Sequence, residues 1–314
     1  MPAPARKYQH VAVLMGGWSA EREVSLSSGK ACADALETVG YRVTRIDVGR
    51  DLAVRLADAR PDVCFNALHG RWGEDGAIQG LLEVLGVPYT HSGVLASALA
   101  MNKQLAKQVM AAAGVPVAPG RVVSRREAAA AHALERPYVL KPVSEGSSVG
   151  VFIVRKDHEH PPQELNDPAW TYGEDLLAER YVAGRELTCG VMGDRVLGVI
   201  EIRPAGALQF YNYESKYAPG GSIHVQADDI SPEIYQSVQK WTLLAHQALG
   251  CRGVSRADFR FDDTAGGTGE IVCLEVNTQP GMTGTSLVPE LAGHAGIGFP
   301  ELVRWIVEDA SCNR

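Results

Sequence analysis

The feature that most constrains this chain is the way its first hundred residues alternate short apolar runs with amphipathic ones. HVAVLM (10–15) ends in Gly16-Gly17, and a helical pattern follows over about 24–39. YRVTRIDV (41–48) and DVCFNAL (62–68) repeat the theme, with helical stretches at 50–59 and 77–85. Apolar strands separated by amphipathic segments predict βαβ units, hence a parallel sheet covered on both faces. Gly16-Gly17 is not a dinucleotide fingerprint, because GGWSAE lacks G-x-G-x-x-G and Asp47 alone does not replace it.

After residue 101 the pattern changes twice. NKQLAKQVMAAAG predicts a helix ended by Gly114, VPVAPG a connector, and RVV, YVLKP, VGVFIV and DLLAERYV a set of short strands. The polar stretch 155–173, with Pro-Pro inside it, predicts a surface connection holding at most a short helix. From Gly184 onward, ELTCGVM and RVLGVIEI form a hairpin across Gly193-Asp194. A Tyr/Gly/Pro-rich loop (210–222), a helix over 233–249, a strand pair and a helix near 299–309 complete the chain. Its 314 residues suffice for two or three packed units.

Several function classes drop out. A formal net charge of −7 gives no basic footprint for nucleic acid. No apolar run approaches the roughly 18 residues of a membrane span, and MPAPARKYQH lacks the apolar core of a secretory signal. The six cysteines lack CxxC spacing and read as buried reduced thiols, which predicts a cytoplasmic protein. Neither G-x-S-x-G nor HExxH is present.

The most informative local feature is the strand pair 254–261 and 270–277. Alternation puts Arg256 and Asp258 on one face, with Glu275 and Asn277 on the matching face of the next strand. Ala257, Phe259, Phe261, Val272, Leu274 and Val276 are then expected to face the core. Clustered carboxylates need a compensating cation, and Mg²⁺ takes oxygen ligands of these types. A salt bridge from Arg256 to Asp258 or Glu275 explains the same spacing equally well. Lys141 ends YVLK and precedes Gly146-Ser147-Ser148-Val149-Gly150, either a phosphate-closing loop or an ordinary β-turn. His69, in ALHGRWGEDG, reads in isolation as a structural histidine.

Taken together, eight segments match one pattern in order and spacing. They are GGWSAEREVSLSSG (16–29), LHGRWGEDGAIQG (68–80), YTHSGVLASALAMNK (89–103), LKPVSEGSSVG (140–150), AERYVAGRELT (178–188), YESKY (213–217), RADF (256–259) and LEVNTQPGMTGTSLVP (274–289). The chain resembles the D-alanine–D-alanine ligase family of the ATP-grasp superfamily.

The resemblance implies a Rossmann-like domain (1–102) followed by a two-part ATP-grasp fold (103–183 and 184–314), α/β and α+β in class. It implies ligation of two D-alanines through an acylphosphate, for peptidoglycan precursors, by a cytoplasmic homodimer using ATP and two Mg²⁺ ions, with Mn²⁺ as a substitute. Asp258, Glu275 and Asn277 match the metal ligands. Lys103, Lys141 and Lys216 match phosphate contacts, with Ser148 in the phosphate loop. Glu179, Arg180 and Val182 match the hinge at the adenine edge, and Glu186 the acid on the ribose. Glu21, Ser147 and Tyr217 match the group around the first substrate's ammonium, with Val24 and His69 beside that substrate. Arg256 and the Gly281 N–H match the oxyanion donors, and Ser286 a contact to the second substrate. Residues 211–222 match a lid. Trp18, and Gln279 ahead of the Pro-Gly, depart from the pattern without touching a matched catalytic position. A hydroxy acid as second substrate, or a nucleotide-binding protein without chemistry, are the rival readings. Lys216-Tyr217 argues against the first, and Asp258, Glu275, Asn277 and Arg256 against the second.

Overall fold

The structure is a computed structural model that describes residues 6–147, 149–204 and 222–314. The opening alternation does produce a parallel sheet. Strand β1 (His10–Met15) lies between β2 (Arg42–Asp47) and β3 (Val63–Asn66), parallel to both. Helix α1 (Arg22–Thr38) packs on β1 and β2, while α2 (Leu52–Ala59) and α3 (Ala77–Leu85) help bury the other face. Every residue of β1 and β3 is buried, which is why their sequences carry no polar alternation.

Helix α4 (Val94–Met101) turns at Asn102 into α5 (Lys103–Ala112). The Asn102 side chain accepts the Leu105 N–H and caps the new helix. A four-stranded antiparallel sheet follows, ordered β4 (Gly120–Ser124), β7 (Asp175–Arg180), β5 (Tyr138–Pro142), β6 (Phe152–Val154), with α6 (Arg125–Ala130) beside it. The connection 155–173 holds a single 3₁₀ turn, Gln163–Asn166, and its Trp170 packs between Phe152 and Tyr172.

A five-stranded antiparallel sheet comes next. Its order is β10 (Ser222–Gln226), β9 (Arg195–Pro204), β8 (Arg185–Met192), β11 (Val254–Phe261), β12 (Ile271–Asn277). The β8–β9 hairpin turns at Gly193-Asp194, with Met192 paired to Arg195. Helix α7 (Pro232–Ala248), capped by Ser231, covers one face. The final helices, α8 (Leu287–His294) and α9 (Phe299–Asp309), share a core with β1, β3 and α1, so the chain's end packs against its beginning. Among the described residues no helix is long and apolar enough to cross a membrane. All six cysteines are free, five of them buried.

The β11–β12 register corrects one expectation. Asp258 pairs with Glu275, but Phe259 pairs with Cys273, so Leu274 is the extra residue of a β-bulge. Beyond the bulge the faces exchange. Cys273 and Ile271 join Ala257, Phe259 and Val276 in the core, whereas Val272 and Leu274 line a cleft. Strict alternation had placed both of those residues with the core; Leu274 leaves it, whereas Val272 stays buried in a smaller apolar cluster with Ala118 and Val182.

Candidate active site

Two adjoining chambers lie between the three sheets. The first is lined by residues of the α1 start, the 69–74 loop, the 145–147 loop and the 276–287 segment. The second lies between the four- and five-stranded sheets. Lys103, Glu145, Gly146 and Glu275 line both, forming the junction.

The described residues singled out by the sequence distribute over these two spaces. Glu21, Val24, His69, Ser147, Arg256, Asn277, Gly281 and Ser286 line the first. Lys141, Glu179, Arg180, Val182, Glu186 and Asp258 line the second. Lys103 and Glu275 stand at the junction. Ser148, Lys216 and Tyr217, and the expected lid apart from Ser222, lie outside the described residues.

In the first chamber Glu21 precedes α1, where the helix dipole favours a carboxylate. The Ser147 hydroxyl donates to its Oε1. Ser19 accepts the Glu21 N–H at 3.2 Å and donates to the His69 carbonyl at 2.7 Å, tying the two loops together. Gly70 has a φ of +70, and a Cβ there would overlap the Glu21 carboxylate. Ser25 and Ser28 sit one turn apart on the buried face of α1. Ser25 accepts the Gly16 N–H and donates to the Ala67 carbonyl, joining the ends of β1 and β3. Ser28 lies 3.0 Å from His69 Nε2, and Glu74 lies 3.2 Å from Nδ1. Both ring nitrogens of His69 thus have partners. His69 is therefore both a satisfied buried histidine and a wall of the chamber.

Gln279, expected to touch no matched catalytic position, is buried and does touch one, Asn277. Its Oε1 accepts from Asn66 Nδ2 at 2.7 Å and its Nε2 donates to the Leu68 carbonyl. Its N–H donates to Asn277 Oδ1 at 2.8 Å. The Pro-Gly segment is thereby fastened to the end of β3. Ser286 Oγ accepts the Thr283 N–H at 2.9 Å and closes the turn 283–286 that follows Gly281.

At the junction the ribbon shows the acidic face its sequence predicts. Arg256 donates through Nε and Nη2 to the two oxygens of Asp258, at 2.9 and 2.8 Å. Buried Thr188, opposite Asp258 on β8, donates to the same carboxylate at 2.6 Å. Lys103 Nζ is 3.3 Å from Glu275 Oε2 and donates to the Glu145 carbonyl at 2.5 Å. The salt-bridge reading of the spacing is thus realised, without excluding a cation. Asp258 and Glu275 are direct cross-strand partners, with Asn277 next on the same face. Among the described residues no three His, Cys, Asp or Glu side chains converge. A cation held here would draw on two carboxylates, one amide oxygen and oxygens of bound substrate, a donor set that suits Mg²⁺.

The second chamber has an apolar floor and a charged end. Ala118, Val139, Val182, Val272 and Leu274 supply the floor. The Arg180 side chain is held by Glu270 at 2.5 and 2.7 Å, while its backbone joins β7 to the following turn. Arg260 donates to the carbonyls of Val182 and Gly184 and fixes that turn from below.

At the charged end, buried Glu179 is 2.6 Å from Lys141 Nζ and 2.5 Å from Lys107 Nζ. Burial works to raise the Glu179 carboxyl, but the two lysines outweigh it and hold it below the usual range. Burial works to lower Lys141, but Glu179 and Glu275 outweigh it and hold it above its ordinary value. Burial, with Lys141 adding to it, lowers Lys107.

Sequence reasoning missed Thr188, Lys107 and Arg260. Thr188 alternates with core residues of an ordinary strand, so only the cross-strand register exposes it. Lys107 had a signal, four residues after Lys103 on one helix face, but reads equally as a solvated lysine.

Comparisons with known proteins identify the family. A family described as D-ala D-ala ligase C-terminus matches residues 109–308, and one described as D-ala D-ala ligase N-terminus matches 52–92. A D-alanine–D-alanine ligase of Methylobacterium radiotolerans is 69% identical over 306 residues, 98% of this chain and 99% of the relative. One from Sinorhizobium fredii is 65% identical over the same shares. The crystal structure of the Bacillus anthracis ligase complexed with ATP is 31% identical, with a TM-score of 0.78 over 96% of this chain and 97% of that one. On fold, sequence and the matched segments together, this chain belongs to the D-alanine–D-alanine ligase family.

Proposed function

We propose that the first chamber binds two D-alanines, the second binds ATP, and the junction between them is where phosphoryl transfer occurs. The observation that carries this reading is that shared wall. Lys103 and Glu275 line both chambers, so a triphosphate entering from one side meets a carboxylate entering from the other.

The D-alanine carboxylate attacks the γ-phosphorus, ADP leaves, and an acylphosphate forms. The second D-alanine's amine attacks its carbonyl carbon, and phosphate leaves from the tetrahedral intermediate. Mg²⁺ held by Asp258, Glu275 and Asn277 would neutralise charge on the phosphoryl oxygens. The chain's own groups do the rest. Glu21, with Ser147, receives the first substrate's ammonium. His69 and Val24 shape the space around its carboxyl. Lys103 and Lys141 contact the phosphates, joined by Lys216 and Ser148. The Glu179–Val182 backbone meets the adenine edge over Leu274 and Val272, and Glu186 accepts from the ribose hydroxyls. Arg256, fixed by its two bonds to Asp258, joins the Gly281 N–H in meeting the tetrahedral oxyanion with donors already in place. Ser286 contacts the second carboxylate. Tyr217 and the 211–222 loop close over the acylphosphate and exclude water.

We assign 1–102 to substrate binding, 103–183 and 184–314 to the nucleotide clamp, and the protein to the cytoplasm, in keeping with its free cysteines. Homodimer formation is supported by the apolar side chains Val84, Leu85, Val94 and Leu95, exposed on neighbouring α3 and α4. Light scattering checks it.

The decisive experiment is coupled ADP release with ATP, Mg²⁺ and D-alanine, scored against L-alanine and against D-lactate as second substrate. ADP release that depends on D-alanine, with dipeptide as product, is expected. Release independent of D-alanine, or preferential depsipeptide formation, would overturn the assignment.

A further inference from the structure

Three buried ionisable groups sit in a row behind the second chamber. Glu179 Oε2 faces Lys141 Nζ at 2.6 Å, and Oε1 faces Lys107 Nζ at 2.5 Å. Lys141 and Glu179 line the chamber, whereas Lys107 does not. Lys107 comes from α5, is buried, and also donates to the Cys273 carbonyl at 3.1 Å. Lys103 stands one turn earlier on the same helix, at the junction.

The charge balance of this row matters. A buried lysine and carboxylate in contact form a neutral pair, and such a pair offers little to a phosphate. When both lysines are protonated, two of them sharing one carboxylate make the row net positive, and the lysine that faces the chamber keeps its charge for an incoming anion. We infer that Lys107 is a positioning residue for nucleotide binding, occupying one side of Glu179 so that the Lys141 ammonium remains available to the phosphates of a nucleoside di- or triphosphate. Lys107 itself touches no substrate. This inference rests on the assignment of the nucleotide to the second chamber.

A purely structural role and this one differ in what they do to different ligands. Adenosine uses the hinge and the apolar floor but has no phosphate, whereas ADP uses the charged end as well. In Lys107→Met, which keeps the side chain's length and loses its charge, ADP affinity is expected to fall about tenfold or more, the size of a lost charge-assisted contact. Adenosine affinity is expected to stay within about twofold, the spread we allow for a contact that is not made. The double variant Lys107→Met/Glu179→Gln leaves Lys141 as the row's single charge, so its ADP affinity should recover above that of Lys107→Met. Titration calorimetry of the full-length protein with adenosine and with ADP reads all of these.

Parallel loss of adenosine and ADP binding in Lys107→Met, or no recovery in the double variant, would overturn the inference. If Lys107→Met does not fold, Lys107→Gln takes its place, and loss of ADP binding with adenosine binding retained supports the proposal, while parallel loss of both or no loss of ADP binding refutes it. The underlying assignment fails separately, and visibly, if the unaltered protein binds neither ligand.

Discussion

Thr188 offers the sharpest test of how the acidic face is built. Its hydroxyl donates at 2.6 Å to Asp258 Oδ1, from a buried position on β8 directly across the ladder. Arg256 holds the same carboxylate through both oxygens. Asp258 therefore has its rotamer set from two sides, and Thr188 is the one that also leaves no charge behind when removed. Thr188→Val is nearly isosteric and deletes only the hydroxyl. A hydrogen bond to a charged group contributes about 1.5–3 kcal/mol, which corresponds to roughly 10–150-fold in an equilibrium constant. Deleting a partner that orients a metal ligand typically costs about 10–100-fold in metal affinity, so two independent routes give one range. The Mg²⁺ concentration for half-maximal ADP release should rise about tenfold or more at saturating ATP and D-alanine, with Thr188→Ser close to the original protein. A Mg²⁺ titration of Thr188→Val that superimposes on that of the unaltered protein would refute the reasoning. Thr188 would then support the fold alone, and Asp258 would not be a ligand whose geometry matters.

Further outcomes follow from the same geometry. Glu275→Gln should abolish D-alanine-dependent ADP release while leaving the thermal unfolding midpoint within a few degrees, because Glu275 is partly exposed at a cleft rather than packed in a core. Gly70→Ala should raise the D-alanine KM well before it affects the ATP KM, and destabilise by about 1–2 kcal/mol, since the new Cβ meets the Glu21 carboxylate at a φ of +70; steady-state kinetics and denaturant melts check both parts. Stability should fall with acidity below about pH 6.5. Burial lowers His91 to about 3 and His246 to about 4, so the unfolded chain takes up protons that the fold refuses. Their contribution is complete above the unfolded value and is lost as pH drops through the window, with a slope of up to about 1.4 kcal/mol per pH unit for each group. Denaturation at pH 7, 6 and 5 measures it. His91→Asn, a residue that tolerates the φ of +69 found there, should remove His91's share of the slope.

The parts of the fold legible in the sequence were those whose period is set by burial on both sides or on one. Fully buried β1 and β3, and the hairpin at Gly193-Asp194, follow from local pattern because no other element competes for their faces. Helices α4 and α8 went unread. Both follow loops full of Gly, Ser and Thr, where the apolar run is too short to separate helix from strand. The 155–173 connection was readable as irregular, but not as the source of Trp170, which caps an apolar edge from a stretch otherwise polar.

The site was legible where chemistry needs adjacent residue types and opaque where it needs partners from elsewhere in the chain. Asp258, Glu275 and Asn277 announce themselves because two strands alternate. Thr188 and Lys107 do not, because each matters only through a contact with a residue roughly seventy positions away. The β-bulge at Leu274 shows the same limit from the other side. Perfect alternation would keep Leu274 in the core and remove it from the apolar floor of the second chamber. One inserted residue exchanges the faces, so a single ribbon presents Glu275 at the junction and its neighbour Leu274 in the floor of the second chamber. That juxtaposition is what a nucleotide, apolar at one end and anionic at the other, requires of the strand beside it.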